Sequence, residues 1–362
     1  MKEGGVFPFL ILTTSAGSLL MVKVDNADEK TSTGWQRRFT LSLKRRQKSP
    51  KSEPIYSVVG DEFGLVYCTG NVLQYEVLDD QVKEMKQTKR FMLDSPAITL
   101  QISNGKLIVL TASHSLLIMD YKAKDALGDI MGLLHTDTSS RTTTHMVQMG
   151  VSTVEKPQST ITMISDASSN LVGTWIPWGR DGQPMETVFE ANLAATVRRF
   201  VLARCRPQWT GTQKYWQYGT LPSREDGADV FGVSLDGTLQ HFTLLSVELW
   251  HFLNIIEFLA RRSPDVASFI PANGGQSEEV RFEQEALPSR MHINGDVVVR
   301  CLQRRSLEKL VEDENMEDKF RASLDAVEAG AYTQGFRDGE RTRDRYFKLA
   351  YEILAFLNEP VL

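Results

Sequence analysis

The chain contains few cysteines, and none is placed for a metal site or a disulfide framework. Only Cys68, Cys205 and Cys301 occur in 362 residues, and there is no Cys-X-X-Cys pair. An odd number of widely spaced cysteines is typical of buried, reduced thiols rather than of zinc knuckles or disulfide-rich scaffolds. His135 and His145 lie near Asp137, but without a standard metal-ligand spacing. We therefore expect no bound metal ion and no other cofactor.

The sequence also lacks long hydrophobic runs and an excess of basic residues. No apolar run approaches the roughly 18 residues that a membrane-spanning helix needs, so we expect no membrane association. There are 41 Lys and Arg against 46 Asp and Glu, which gives a formal net charge of -5. A dedicated nucleic-acid-binding protein usually carries a clear basic excess because it neutralises phosphates. Nucleic acid would therefore have to be bound by a local patch or through partner proteins.

Catalytic signatures are absent from the sequence as well. It contains no GxSxG, no HExxH, no P-loop and no GxGxxG after a predicted strand. Carboxylate pairs such as Asp79-Asp80 and Glu278-Glu279 stand among polar residues, where they are most often solvated surface. The sequence therefore predicts a protein that is not an enzyme.

What the sequence does contain is one pattern in five copies. Each copy has an apolar, β-branched run, a short cluster of small polar residues and a second apolar run, which is typical of a β-hairpin. The polar clusters recur at intervals of about 45 to 70 residues, as in four-stranded propeller blades. A β-sandwich made of the same hairpins is the alternative, although its turn signals are usually closer together. The five copies are Phe9–Asp25, Glu62–Asp79, Asn104–Lys122, Gln158–Pro177 and Gly227–Leu245.

The predicted hairpin tips contain the residues that tight turns favour. Gly and Asn accept the positive φ that such turns need, and Asp-Gly is a strong hairpin signal. The tips are Ser15-Ala16-Gly17, Thr69-Gly70-Asn71, Ser113-His114, Ser168-Ser169-Asn170 and Asp236-Gly237.

Beyond residue 245 the hydrophobic period changes from that of strands to that of helices. We expect a helix capped by Ser246, with Trp250 buried against the propeller, and further helices at Asp296–Leu302, Ser306–Glu314 and Glu340–Asn358. The predicted fold is thus mainly β: a partial, WD40-like β-propeller over residues 1–245, followed by a small α-helical domain over residues 246–362. A polar stretch near residues 264–290 is predicted to be a mobile loop.

A basic cluster lies between the first two hairpins. It comprises Lys44, Arg45, Arg46 and Lys48, within a segment from Trp35 to Pro54 that has few apolar residues and is predicted to be a long exposed loop. Three interpretations of the cluster stay open: a solvated loop, a nuclear-import signal and a phosphate-contact patch.

Two short motifs near the strand-to-helix change resemble a known pattern. One is Asp229-Val230-Phe231-Gly232-Val233-Ser234-Leu235-Asp236-Gly237-Thr238-Leu239, which leads into Trp250. The other is Ile293-Asn294-Gly295-Asp296-Val297, followed by Ser306-Leu307-Glu308-Lys309-Leu310. Both resemble the C-terminal region of the family that includes the large subunit of the damaged-DNA-binding complex, the A subunit of the cleavage and polyadenylation specificity factor and a large splicing-factor subunit. Fungal repair proteins of the methyl-methanesulfonate-sensitivity type are similar. The matching positions are Gly232, Asp236, Gly237, Gly295 and Asp296.

The resemblance implies a nuclear, non-catalytic scaffold or adaptor that binds other proteins through propeller faces and the helical domain. A DNA-repair or cullin ubiquitin-ligase complex is the first interpretation. The alternative is a nucleic-acid-binding subunit in pre-mRNA cleavage and polyadenylation or in splicing. The family's propellers have seven blades, so the resemblance implies that five hairpins are part of a longer ring. The first strand would then carry an exposed apolar edge at Phe7, Phe9 and Ile11.

Overall fold

A computed structural model of the chain shows strands as far as Phe242 and helices from Val247 onward. It describes residues 9–31, 34–48, 53–61, 64–79, 84–122, 131–153, 156–180, 183–203, 229–245, 247–263, 266, 291–331 and 342–358. The mainly β character predicted from the sequence is confirmed, with helices after the strands. The predicted loop near residues 264–290 lies almost entirely outside the described residues.

The strands form five separate sheets in which neighbours in sequence are neighbours in the sheet. The first three sheets contain β1–β3, β4–β7 and β8–β11. The last two contain β12–β15 and β16–β18. All five are open antiparallel sheets, and their arrangement as a propeller stays a prediction. Strand bounds are β1 Phe9–Thr13, β2 Ser18–Thr31, β3 Gly34–Lys48, β4 Val58–Gly60, β5 Gly64–Thr69, β6 Val72–Asp79, β7 Glu84–Met92, β8 Ala97–Ser103, β9 Lys106–Thr111, β10 Leu116–Asp120, β11 Gly132–Thr136, β12 Thr143–Thr153, β13 Lys156–Asp166, β14 Asn170–Trp175, β15 Glu186–Asn192, β16 Val197–Ala203, β17 Asp229–Ser234 and β18 Leu239–Phe242.

All five predicted hairpins are confirmed. They are the antiparallel pairs β1–β2, β5–β6, β9–β10, β13–β14 and β17–β18. Each tip places one residue in the left-handed region, with φ between 55° and 85°. Glycine takes this position in three tips, but serine takes it in the other two, where the backbone is held by the turn despite the Cβ. These residues are Gly17, Gly70, Ser115, Ser169 and Gly237.

The predicted long loop from Trp35 to Pro54 is wrong. Residues Gly34–Lys48 are strand β3, which pairs with β2 along fourteen partners from Ser18↔Lys48 to Thr31↔Gly34. Because β1 pairs only with Leu19–Lys23 of β2, the outer part of β2 and β3 is a two-stranded ribbon. The alternation of Phe39, Leu41 and Leu43 with polar residues fits a strand, and the basic residues around it obscured this pattern.

The chain divides into two compact units. The first comprises Met1–Met146 and Pro177–Met185, and the second comprises Val147–Ile176 and Glu186–Leu362. The helices that the structure describes all belong to the second unit. The boundary predicted at residue 245 falls where strand changes to helix, and as a domain boundary it stays a prediction.

Five described helices follow the sheets: α1 Val247–Arg262, α2 Gly295–Arg304, α3 Leu307–Leu310, α4 Glu314–Ala331 and α5 Arg343–Leu357. Their apolar faces share one core. In it the ring of Phe320 is stacked on Phe347, with centroids 5.4 Å apart, and lies tilted against Phe252, with centroids 5.6 Å apart. The helix predicted over Ser306–Glu314 is only partly right. It ends at Leu310, and the longer α4, which the sequence did not predict, begins after Asp313, whose carboxylate accepts from the Asn315 N–H at 3.0 Å.

Candidate interaction surfaces

In the first unit, consecutive sheets pack face to face. Leu19 of the first sheet is buried with Ile55 and Tyr67 beside the second sheet, and the opposite face of the second sheet packs on the third. There, Tyr75 and Tyr121 meet edge to face with ring centroids 5.2 Å apart. The second sheet therefore has one face toward the first sheet and the other toward the third.

The second unit repeats this packing with its two sheets. The fourth sheet contributes Met149, Met163 and Leu171 to a core that it shares with Val197 and Val230 of the fifth. The hydroxyl of Ser165, at the end of β13, donates to the Val197 carbonyl at 2.8 Å. The fourth and fifth sheets are thus joined both by this hydrogen bond at the end of a strand and by their shared apolar core.

A similar strand-end bond occurs twice in the first unit. The Ile55 N–H donates to the Thr14 carbonyl at 3.3 Å, so the first hairpin tip holds the chain that enters the second sheet. The Thr143 N–H donates to the Ala112 carbonyl at 3.1 Å, and the Thr143 hydroxyl donates to the Thr111 carbonyl. Because buried backbone groups need partners, these bonds fix where each new sheet starts.

The first sheet leaves one apolar face exposed. Leu10 pairs with Val22 and Val22 with Leu43, so these side chains stand on the same face of the sheet. Leu41 and Leu43 are 61% and 58% exposed, whereas Leu19, on the opposite face, is 1% exposed. We call this surface the first-sheet face. It consists of Leu10, Leu12, Leu20, Val22, Val24, Leu41 and Leu43.

The first strand was expected to expose Phe7, Phe9 and Ile11, and this expectation is only partly right. Phe7 and the side chain of Phe9 lie outside the described part of the chain. Ile11 is half-buried against the Leu19 core, so the structure contradicts its expected exposure. It is Leu10 and Leu12, each 43% exposed, that β1 presents on the open side. The exposed feature is a sheet face, because alternate residues of β1 point to opposite sides.

The fifth sheet also has one covered and one exposed face. Val230, on the covered face, is 1% exposed, whereas Val233 and Leu239, which pair across β17 and β18, are 39% and 66% exposed. The Phe231 ring stacks on His241 at 5.0 Å within the same face. We call this surface the fifth-sheet face. Its residues are Arg199, Val201, Phe231, Val233, Leu239 and His241.

A charged network joins the second and third sheets. The Tyr121 hydroxyl donates to Asp61 Oδ2 at 2.9 Å, and Lys122 Nζ lies 2.8 Å from the same oxygen. The Gly64 N–H donates to the other carboxylate oxygen at 2.8 Å. Burial, followed by the bond to Asp61, raises the pKa of Tyr121 to about 12. Residue spacing does not indicate this network, because Asp61 and Tyr121 are 60 residues apart in the chain.

Three of the residues carried by the family resemblance lie in the last hairpin. Gly232 is buried, and a Cβ there would stand 2.9 Å from Val197 and Phe242 side-chain atoms. Gly237 has φ +85°, as predicted for the tip. Asp236 Oδ1 accepts from both the N–H and the hydroxyl of Thr238, and these bonds, the backbone one first, lower the pKa of Asp236. The three residues therefore shape the hairpin, and among the described residues they form no pocket with other functional groups.

The other resemblance residues lie at the starts of α1 and α2. Trp250 is partly buried, and its indole nitrogen is buried. Its expected burial against the strands stays a prediction. Gly295 and Asp296 are exposed in the first turn of α2, and the space around a Gly295 Cβ is empty. Asn294, and not Asp296, caps this helix by accepting from the Asp296 N–H at 2.9 Å. The motif is thus a helix start.

The sequence missed two polar residues that organise the helices. Glu257 of α1 is charged yet only 7% exposed, and it accepts from Arg261 at 2.8 Å and from the Asn294 N–H at 3.4 Å. Ser306 stands at the start of α3, but its side chain makes no capping bond. The Tyr351 hydroxyl of α5 takes that role by accepting from the Leu307 N–H at 3.0 Å and donating to Glu308.

The basic cluster lies on β3, at an edge of the first sheet. Lys44 is the extra residue in a bulge, because Leu43 pairs with Val22 and Arg45 with Met21. Arg46 is exposed and pairs with Leu20, so it stands at the rim of the first-sheet face. For Lys44, Arg45 and Lys48 the structure describes the backbone path only. The solvated-loop interpretation is corrected to a strand, and the other two interpretations stay predictions.

Comparison with known proteins adds no family assignment. No protein-family model and no curated protein matches the chain. None of the helices in the described part of the chain has the length and apolar character needed to cross a bilayer.

Proposed function

We propose that this chain is a non-catalytic scaffold or adaptor in the nucleus, built as part of a WD40-like β-propeller with a helical domain behind it. The observation that carries the proposal is the arrangement of the sheets. Each is built around one hairpin, inner faces are covered by neighbouring sheets, and the first and fifth sheets each keep one apolar face exposed. Exposed apolar patches on folded proteins mark protein-binding sites, which favours a binding role.

The resemblance of the Gly232–Gly237 and Asn294–Asp296 motifs to the C-terminal region of the damaged-DNA-binding and polyadenylation-factor family supports the same proposal. In that setting the partners would be proteins of a DNA-repair or cullin ubiquitin-ligase complex. The motif residues shape a hairpin and a helix start, and the partner-binding residues are to be sought on the sheet faces.

Affinity capture from nuclear extract with the full chain tests this role. We expect nuclear repair or ubiquitin-ligase proteins to be retained, and to be lost when Leu41→Lys and Leu43→Lys place two charges on the first-sheet face. Met92→Lys is the matched control, because Met92 is 70% exposed on β7, away from that face. Capture of the same proteins by all three chains, or of none by the wild type, would argue against a scaffold acting through this face.

The nuclear-import interpretation of the basic cluster has its own test. Replacing Lys44, Arg45, Arg46 and Lys48 by Gln should lower nuclear accumulation in cells without lowering the melting temperature. Replacing the exposed helix residues Lys309, Lys319 and Lys348 by Gln is the control and should leave the distribution unchanged. An unaltered distribution of the β3 variant would remove the import interpretation.

Direct nucleic-acid binding in pre-mRNA processing is the second candidate, and the basic residues of β3 are the observation that favours it. Binding through phosphates weakens steeply as salt rises, because bound counterions are released. If this candidate is right, fluorescence anisotropy with single-stranded RNA should give an affinity that falls steeply with salt and is reduced in the β3 variant. The net charge of -5 makes this the weaker candidate.

A further inference from the structure

We draw no further inference here: the strongest candidate, the side-chain cluster of the fifth-sheet face in which the Phe231 ring stacks on His241 with the exposed Arg199 on the same face, carries none, because nothing in the structure shows what covers it.

Discussion

Strand β9 of the third sheet and strand β1 of the first sheet have almost the same apolar pattern. In β9, Leu107, Ile108, Val109 and Leu110 follow one another and all four are fully buried. In β1, Phe9-Leu10-Ile11-Leu12 is as continuously apolar, but Leu10 and Leu12 are each 43% exposed. Continuous apolar runs are typical of strands covered on both faces. The comparison teaches that the sequence of β1 is suited to a sheet with neighbours on both sides.

The fifth sheet supports the same conclusion from the other end of the series. Val230, Phe231 and Val233 of β17 are apolar on both sides of the strand, yet only the Val230 side is covered. A solvent-facing strand usually alternates apolar with polar residues, as Val72–Val77 of β6 does in part. The first and fifth sheets thus have residue types similar to those of the third sheet, but one face of each is exposed.

The largest contrast should come from removing one side chain in each region. Ile108→Ala empties a site with no exposed surface and should lower the free energy of unfolding by about 2–5 kcal/mol. Leu41→Ala, at a site that is 61% exposed, should change it by less than about 0.5 kcal/mol. Urea denaturation at a low protein concentration measures both. Similar losses at the two sites would show that the first-sheet face is covered within the chain.

A smaller effect is expected where the fourth and fifth sheets meet. Gly232→Val adds atoms where a Cβ alone would lie 2.9 Å from Val197 and Phe242, and overpacking of this kind costs about 1–3 kcal/mol. Gly295→Ala is the matched control, because its site is open and helical, and it should be neutral or slightly stabilising. A neutral Gly232→Val in chemical denaturation would mean that the side chains of Val197 and Phe242 are not closely packed over Gly232.

The hairpin tip should respond next. Gly237→Val forces a β-branched residue to φ +85° and should destabilise by roughly 1 kcal/mol or more. Gly237→Asn should destabilise less, because asparagine enters the left-handed region more easily. Thermal melting of the two variants should therefore rank them with valine below asparagine, and the reverse order would contradict a tight turn at this tip.

The contact between the second and third sheets should be sensitive to alkaline pH. The pKa of Tyr121 is raised from 10.0 to about 12, so between these values the unfolded chain loses the proton while the folded chain keeps it. The stability that this hydroxyl contributes is complete below pH 10 and is lost as the pH rises toward 12. Tyr121→Phe should show a shallower alkaline loss in urea-unfolding midpoints than the wild type. Parallel curves would mean that Tyr121 is not held protonated by Asp61.

The hairpins could be predicted from the sequence because each depends on adjacent residues. An apolar run, a tip with a residue that accepts positive φ and a second run are all visible in Asp229–Phe242. Helix α1 was visible for the same reason, through its buried Leu249, Phe252 and Ile256. Strand β3 was missed because basic residues outweighed its alternation, although Leu41 and Leu43 carried the signal.

The candidate surfaces could be predicted only in outline. Alternation shows which side chains share a face, but whether that face is covered depends on another sheet, which local sequence does not record. For this reason the prediction placed Ile11 on the exposed side of β1, whereas the structure exposes Leu10 and Leu12. The contacts of Glu257 with Asn294 and of Tyr121 with Asp61 join distant parts of the chain, and residue spacing gives no sign of them.

Binding of a hydrophobic dye to the full chain tests most directly whether the first-sheet face is an exposed apolar surface. The wild type should bind the dye, and the variant with Leu41→Lys and Leu43→Lys should bind less of it, because the two leucines are 61% and 58% exposed. A wild type that binds no dye, or a variant that binds as much dye as the wild type, would contradict the account.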